Sequence, residues 1–430
     1  MQDLRILATG DLHVGDTANL AGLQPIDRET GRPAVLEGAR RTLDWIVTAA
    51  EDADANVVFV SGDVYPHPRP TPAAESIVAD AFCGLADRGV LVVVLLGNHD
   101  RANGAAVAHA LEPMKRWRPG RIVVLDEFMP YALSGGGRLN LVPLLDPTEA
   151  GPDLRGIIYP VPYPARAELA RGAPTVVEAL RANGKVCGDV IKAYAALSKL
   201  DAPHELEGGA RRPRILLGHG TLAGAVFSDH QTVPLADWPI PTDHFGAFDA
   251  AVWGHLHKRQ AVEGYGDADE HTHGYTGAPD RLRFDEAGYH AGATLLTFTQ
   301  WHTKAEFVGN PHARQFETLT PDELTDEVIN GRIRTEAASG PAGAVVYRVR
   351  GTVAPERLEA VGAAVRSLVA AGVVVRNECQ VERTDRARVD LGADLSTAAV
   401  LRGVFEARPD LGEFADQITA DVVALDGAAL

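Results

Sequence analysis

Long hydrophobic runs are missing from this 430-residue chain. The longest, Val90–Leu96, falls far short of the roughly 20 apolar residues that cross a bilayer, so no membrane-spanning helix is expected. Cysteine is scarce too. Cys83, Cys187 and Cys379 are scattered and odd in number, which argues against a disulfide framework and for a reducing cytosol. No basic stretch followed by a signal-type apolar segment opens the chain, and residues 1–10 run straight into an apolar strand, so a cytoplasmic protein with no removable leader is expected. Net positive charge is also lacking, the formal total being −17. Nucleic-acid proteins ordinarily display a positive footprint, so this balance reads first as a solvated acidic surface. Local basic clusters remain at Lys115-Arg116-Trp117-Arg118 with Arg121, at Arg211-Arg212-Pro213-Arg214 and at Arg281-Leu282-Arg283. Each suits a phosphate contact or a solvated loop equally well.

What is present is a set of five apolar runs, each followed by a short polar signature. Ile6–Thr9 leads into Gly10-Asp11-Leu12-His13, Val57–Val60 into Ser61-Gly62-Asp63, and Val92–Leu96 into Gly97-Asn98-His99-Asp100. Ile215–Leu217 leads into Gly218-His219-Gly220, and Ala251–Trp253 into Gly254-His255-Leu256-His257. Runs of this length and composition read as strands buried on both faces. The glycine that follows lets backbone turn and come close to whatever the next residue binds. The polar residues then sit at strand ends, where open α/β sheets place their ligands.

The residue types fit metal-assisted cleavage of a phosphate ester, which needs two divalent ions about 3.5–4 Å apart. Asp11 and His13 form a D-x-H pair able to chelate one ion, and Asp63 has two oxygens to share as a bridge. Asn98 supplies a neutral carbonyl oxygen, and His219, His255 and His257 supply imidazoles. Such a mixed oxygen and nitrogen set suits Mn, Fe or Zn better than Ca or Mg. With no cysteine among them, a structural zinc is not expected. His271-Thr272-His273 copies the H-x-H spacing inside a polar turn-and-hairpin region, where a structural role is the simpler expectation. His67, His230 and His244 lie in loops rich in Pro or Asp, which suit roles around a site better than metal binding.

Along the chain, Leu36, Ala39, Leu43, Ile46, Val47 and Ala50 share one helical face, as do Ile77, Val78, Ala81, Phe82 and Leu85. Strand and helix alternating in this way imply crossover connections and a mainly parallel sheet. Much of 165–200 reads as helix, followed by a polar loop over 204–212. Hairpins are expected after residue 260. A second unit starts near Gln315: a strand over 344–353, a helix opened by Pro355 and closed by Gly372, and a strand over 373–381. Val400, Leu401, Val404 and Phe405, then Phe414, Ile418 and Val422, have helical spacing suited to packing on the chain itself or on a partner.

The five signatures, in this order, resemble the calcineurin-like metallophosphoesterase superfamily over roughly residues 1–300. The resemblance implies an α/β fold, a four-layer αββα core, with a small α+β capping domain and C-terminal helices. The corresponding boundaries are 1–314 for the nuclease domain, 315–392 for the capping domain and 393–430 for the helical segment. It implies a first metal held by Asp11, His13, Asp63 and His257 and a second by Asp63, Asn98, His219 and His255. His99 would stabilise the transition state and protonate the leaving oxygen, Asp100 would orient its imidazole, and a metal-bound hydroxide would attack.

Within the superfamily the chain is similar to the SbcD family. Gly254-His255-Leu256-His257-Lys258 is followed by Tyr275-Thr276-Gly277-Ala278-Pro279, with Phe284 and Glu286 at the expected distance. That resemblance implies a DNA exonuclease and endonuclease using two divalent ions, Mn2+ first among them. It would act on double-stranded ends and hairpins, as a homodimer partnered by the SMC-like ATPase SbcC. The family often carries Gly-Asp-x-Phe-His where this chain has Gly62-Asp63-Val64-Tyr65-Pro66-His67, so the histidine falls one residue late. Two alternatives stay open: a phosphatase or cyclic-nucleotide phosphodiesterase acting on a small substrate, and a scaffold subunit with a vestigial site.

Overall fold

A computed structural model describes residues 3–15, 30–101, 109–135, 138–144, 153–164, 176–200, 212–227, 239–266, 271–299, 302–338 and 345–382. Internal contacts divide the chain into two compact units, Met1–Gly351 with Ala360–Glu378, and Thr352–Glu359 with Cys379–Leu430.

In the first unit the apolar runs do form strands. β1 (Leu4–Thr9), β2 (Val57–Val60), β3 (Leu91–Leu95) and β4 (Ile122–Leu125) pair in parallel. On the other side of β1, β12 (Gly292–Phe298) and β13 (Thr303–Gly309) add antiparallel, giving the sheet order β13-β12-β1-β2-β3-β4. A second sheet runs β10-β11-β9-β8-β7-β5-β6. Its strands are β5 (Tyr131–Ser134), β6 (Asn140–Pro143), β7 (Leu154–Val161), β8 (Arg214–His219), β9 (Ala250–Gly254), β10 (Gln260–Ala261) and β11 (His273–Tyr275). The expected hairpin after residue 260 is the antiparallel β10–β11 pair.

Alternation along each strand sends residues to two different cores. Ile6, Ala8, Val57, Phe59, Val93 and Leu95 face the second sheet's Ile158, Ile215, Leu217 and Val252. Leu7, Val58, Val60, Val92 and Val94 face outward onto α1 (Ala34–Asp52) and α2 (Pro72–Asp87) through Leu43, Ile46, Phe82 and Leu85. On the far side, Tyr159, Leu216, Ala251 and Trp253 pack against Cys187, Ile191 and Tyr194 of α3 (Val176–Leu200). The result is the expected αββα stack. Burial on both faces explains why these strands read as continuous apolar runs rather than as alternating ones.

On α2, Ile77, Val78, Phe82 and Leu85 are each core residues, buried beneath the first sheet. A third sheet, β14-β15-β16, follows, with β14 (Gln315–Leu319) parallel to β15 (Val345–Val353), and β16 spanning Val374–Val381. Thr320 and Glu323 form a capping box at its first turn. The helical segment 393–430, the loop 204–211 and His230 lie outside the described residues.

Candidate metal centre

The ends of β1, β2, β3, β8 and β9 converge, and the residues just past them meet in one buried cluster. Backbone bonds splice the loops together: Asp11 N to Gly62 O at 3.0 Å, His13 N to Asp63 O at 3.0 Å, and Val14 N to Val64 O at 2.8 Å. Among the described residues, six non-glycine positions have positive φ, and four of them are Asp11 (53°), His13 (44°), Asp63 (53°) and His255 (103°). Such backbone costs about 1–3 kcal/mol per residue and persists only where the surroundings over-determine it. Together the four approach the roughly 5–15 kcal/mol by which a domain is stable at all. Strain of this size at four predicted ligands marks the cluster as functional. Gly97 belongs to the same arrangement, since a Cβ there would collide with the Asp63 backbone nitrogen and carboxylate.

Asp11, His13 and His257 form one group of converging donor atoms, and Asp63, His219 and His255 another. In the first, His13 Nε2 and His257 Nε2 lie 3.2 Å apart. In the second, Asn98 Oδ1 is 2.9 Å from both His219 Nε2 and His255 Nδ1. Asp63 Oδ2 faces both groups, 3.7 Å from His13 Nε2 and 3.4 Å from His219 Nε2. Its other oxygen accepts the backbone N–H of His99 at 2.8 Å. Asp11 accepts the backbone N–H of His255 at 2.9 Å. Facing lone pairs at this spacing repel unless a cation or proton lies between them. The donor set therefore fits two divalent cations.

The imidazoles are oriented from behind. His219 Nδ1 donates to the Ser61 carbonyl at 2.7 Å, and His257 Nδ1 donates to Glu286 at 2.8 Å, which leaves each Nε2 facing the cluster. His99 is exposed, stands edge-on to the His13 ring at 4.9 Å, and donates from Nδ1 to the Pro66 carbonyl at 2.9 Å. That last contact corrects the role expected of Asp100. Its fully buried carboxylate accepts the N–H groups of Gly97 and Tyr65 at 3.1 Å and of Val64 at 3.4 Å, so it ties the Asp63 loop to the Asn98 loop. The partner of His99 is the carbonyl of Pro66, within the run where this sequence departs from the SbcD pattern. His67, one residue on, is half-buried.

Charge in the cluster is divided by burial and neighbours. Burial raises the Asp11 carboxyl, only partly offset by His257 and His219. Burial opposes ionisation of Asp63 as well, yet His219 and His13 hold its carboxyl well below the usual carboxylate range. Burial pushes Asp100 up to about 7, with Asp63 adding to the shift. Burial also drives His13 well below the ordinary histidine value. His219 and His257 run the other way. Against the cost of burial, Asp63 and Glu286 respectively lift them to about 9.

Metal uptake must displace those protons, so at neutral pH binding is expected to release about two protons per chain, and affinity should climb as pH rises toward about 9. In the metal-free protein the sign is opposite for stability. Both folded values exceed the unfolded one, so the contribution of these two histidines is complete below about pH 6.5 and is lost as pH rises through about 9. Calorimetric titrations in buffers of different ionisation enthalpy count the protons. An affinity flat between pH 6 and 9 contradicts the assignment.

Residues elsewhere are accounted for structurally. His271 and His273 are buried and face the carbonyls of Tyr275 and Phe248 at 3.2 and 3.1 Å, so the second H-x-H is a pair of satisfied core histidines. The basic clusters are largely committed within the protein. Lys115 pairs with Asp126 at 2.7 Å, Arg118 with Asp87 at 2.6 Å and Arg214 with Asp249 at 3.2 Å, while Arg281 donates to the carbonyls of Tyr289 and Arg314 at 2.9 Å. His109, Glu112 and Asp126 form a further His-and-carboxylate group that sequence reasoning missed, because nothing in its spacing distinguishes it. Lys115 already neutralises both of its carboxylates. In the sequence only its distance from the metal motif sets Glu286 apart, because its contact with His257 joins residues 29 apart.

The profile of the calcineurin-like phosphoesterase family matches residues 4–259. The chain is 26% identical over 313 residues to the SbcD subunit of the SbcCD nuclease of Escherichia coli strain K12, covering 71% of this chain and 68% of that protein. It is 30% identical over 109 residues to the SbcD subunit of the Bacillus subtilis strain 168 nuclease, covering 25% of each. A solved structure of Haemophilus influenzae NAD nucleotidase aligns at a TM-score of 0.32 and 12% identity over 86% of this chain and 60% of that one, too loosely to bear on the fold.

Proposed function

The chain belongs to the calcineurin-like phosphoesterase family, and we propose that it is the two-metal nuclease subunit of an SbcCD-like complex that processes double-strand breaks. The observation that carries the hydrolytic part is the position of Asp63, with Oδ2 turned toward His13 in one donor group and His219 in the other. The similarity to the SbcD subunits of two bacterial SbcCD nucleases supports the choice of DNA as substrate.

In this reading Asp11, His13, Asp63 and His257 hold one ion, and Asp63, Asn98, His219 and His255 hold the other. Two bound divalent ions, Mn2+ first among the candidates, would polarise the phosphate and acidify the attacking water. The chain's own groups do the rest. Asp63 and the imidazoles would hold the ions in place, and Asp100 holds two ligand loops in register. His99, anchored through Nδ1 on the Pro66 carbonyl, presents Nε2 to protonate the leaving oxygen. The module over 315–392 would cap the site and orient DNA, the segment 393–430 would engage an SMC-like ATPase, and the assembly would be a cytoplasmic homodimer. No helix among the described residues is long and apolar enough to cross a membrane.

One observation favours a second reading, hydrolysis of a small phosphate ester. The net charge is −17, and the basic clusters are largely occupied by internal partners. Purified chain with Mn2+ should degrade duplex DNA from its ends, and a co-purifying SMC-like ATPase with ATP should change the rate or the ends chosen. Cleavage of small phosphate esters with no DNA hydrolysis, with or without the ATPase, would move the assignment to the second reading.

A further inference from the structure

Glu286 lies in the short 3-10 turn Phe284–Glu286, far along the chain from any of the strand-end signatures, and yet it is among the most buried carboxylates described, 1% exposed. Each of its oxygens has one task. Oε1 accepts His257 Nδ1–H at 2.8 Å, and Oε2 accepts the Leu282 backbone N–H at 2.6 Å. His257 Nε2 then points at His13.

The turn is itself held from two directions. On one side the segment leading into it is fixed by a buried ion pair, Arg314 Nε to Asp280 Oδ2 at 2.6 Å, with both side chains at most 5% exposed. On the other, the Phe284 ring packs edge-on against Phe316 of β14 at 4.8 Å, and the Arg348 guanidinium of β15 lies over it at 4.6 Å. Both partners belong to the sheet that follows residue 315.

We infer that Glu286 is the positioning residue that keeps His257 competent as a metal ligand, and that Phe284 registers this residue on the β14–β15 sheet. The inference rests on the metal assignment above. A histidine binds a cation through one nitrogen only when the other carries the proton and is held, and outer carboxylates commonly do that holding. Here the holder sits on a turn whose place is set by the later sheet, so that sheet is part of the first metal site although it supplies no ligand.

Glutamine at 286 makes the argument testable, since it keeps the size and loses the second acceptor. If its oxygen keeps the Leu282 N–H, its NH2 group meets His257 Nδ1. The imidazole must then move its proton to Nε2, which faces the cation. If it flips, the Leu282 bond is lost. Mn2+ titration of the full chain by calorimetry, with metal content by mass spectrometry, should show two ions per wild-type chain. In Glu286→Gln one site should weaken by roughly 10–100-fold, the range for loss of an outer partner, with the other unchanged. Phe284→Ala should weaken the same site several-fold, and Phe284→Tyr should restore it. The metal-free melting temperature should fall in Glu286→Gln and Phe284→Ala, since each loses a packed or hydrogen-bonded contact, so the readout that a merely structural role would not give is loss of affinity at one site alone.

Two wild-type Mn2+ affinities in Glu286→Gln would overturn the inference while leaving the two-metal assignment intact. Equal weakening of both sites would overturn it as well. Wild-type chain that binds no Mn2+ would remove both the inference and the assignment beneath it.

Discussion

Asp63→Asn is expected to empty both metal positions and abolish hydrolysis while the fold survives. Both oxygens of Asp63 are committed: Oδ1 accepts the His99 backbone N–H at 2.8 Å, and Oδ2 stands between His13 and His219. An asparagine can satisfy only one of these demands. With its oxygen toward His99, its NH2 presents a donor to the place where cations need a lone pair; flipped, two N–H groups collide at His99. Removing an outer partner of a metal ligand costs about 10–100-fold in affinity, and loss of the one carboxylate shared by both groups should exceed that at each site. Metal content per chain by mass spectrometry reads the effect directly. Two retained ions in Asp63→Asn would sink the bridging role. The strained φ of 53° at this position is one that asparagine also tolerates, so the substitution adds little backbone cost of its own.

His99→Ala should behave in the opposite way. The ring is exposed over the cluster, stands edge-on to His13 and gives no hydrogen bond to a ligand, since its backbone N–H rather than its imidazole reaches Asp63. Loss of a positioned general acid typically costs about 10²–10⁴-fold in rate. Cleavage should fall by that order with both metals retained. The deficit should shrink on esters whose leaving group needs no proton, such as a nitrophenyl ester. Undiminished DNA cleavage, or loss of metal together with activity, would remove His99 from the role of acid.

The contrast between these two variants marks what the sequence made legible. The five signatures announce themselves because strands buried on two faces are compositionally unusual, and because each ends in glycine followed by a metal-binding side chain. The αββα stack follows from the same runs, since strand alternation sends Phe59 to one core and Val58 to the other. Long-range backbone partnerships leave no such trace. The Pro66 carbonyl that holds His99 is 33 residues away in sequence, and the Ser61 carbonyl that orients His219 is 158 away. Asp100 sits beside His99 in the chain and was expected to orient it, but its side chain points to the backbone of the neighbouring loop. Adjacency in sequence gave no direction in space.

The central claim is that two cations share Asp63, and anomalous diffraction from crystals of the chain grown with Mn2+ tests it most directly. Two peaks per chain are expected, the first within bonding distance of Asp11, His13 and His257, the second of Asn98, His219 and His255, and both of Asp63. A single peak, or two of which Asp63 touches only one, would contradict the account.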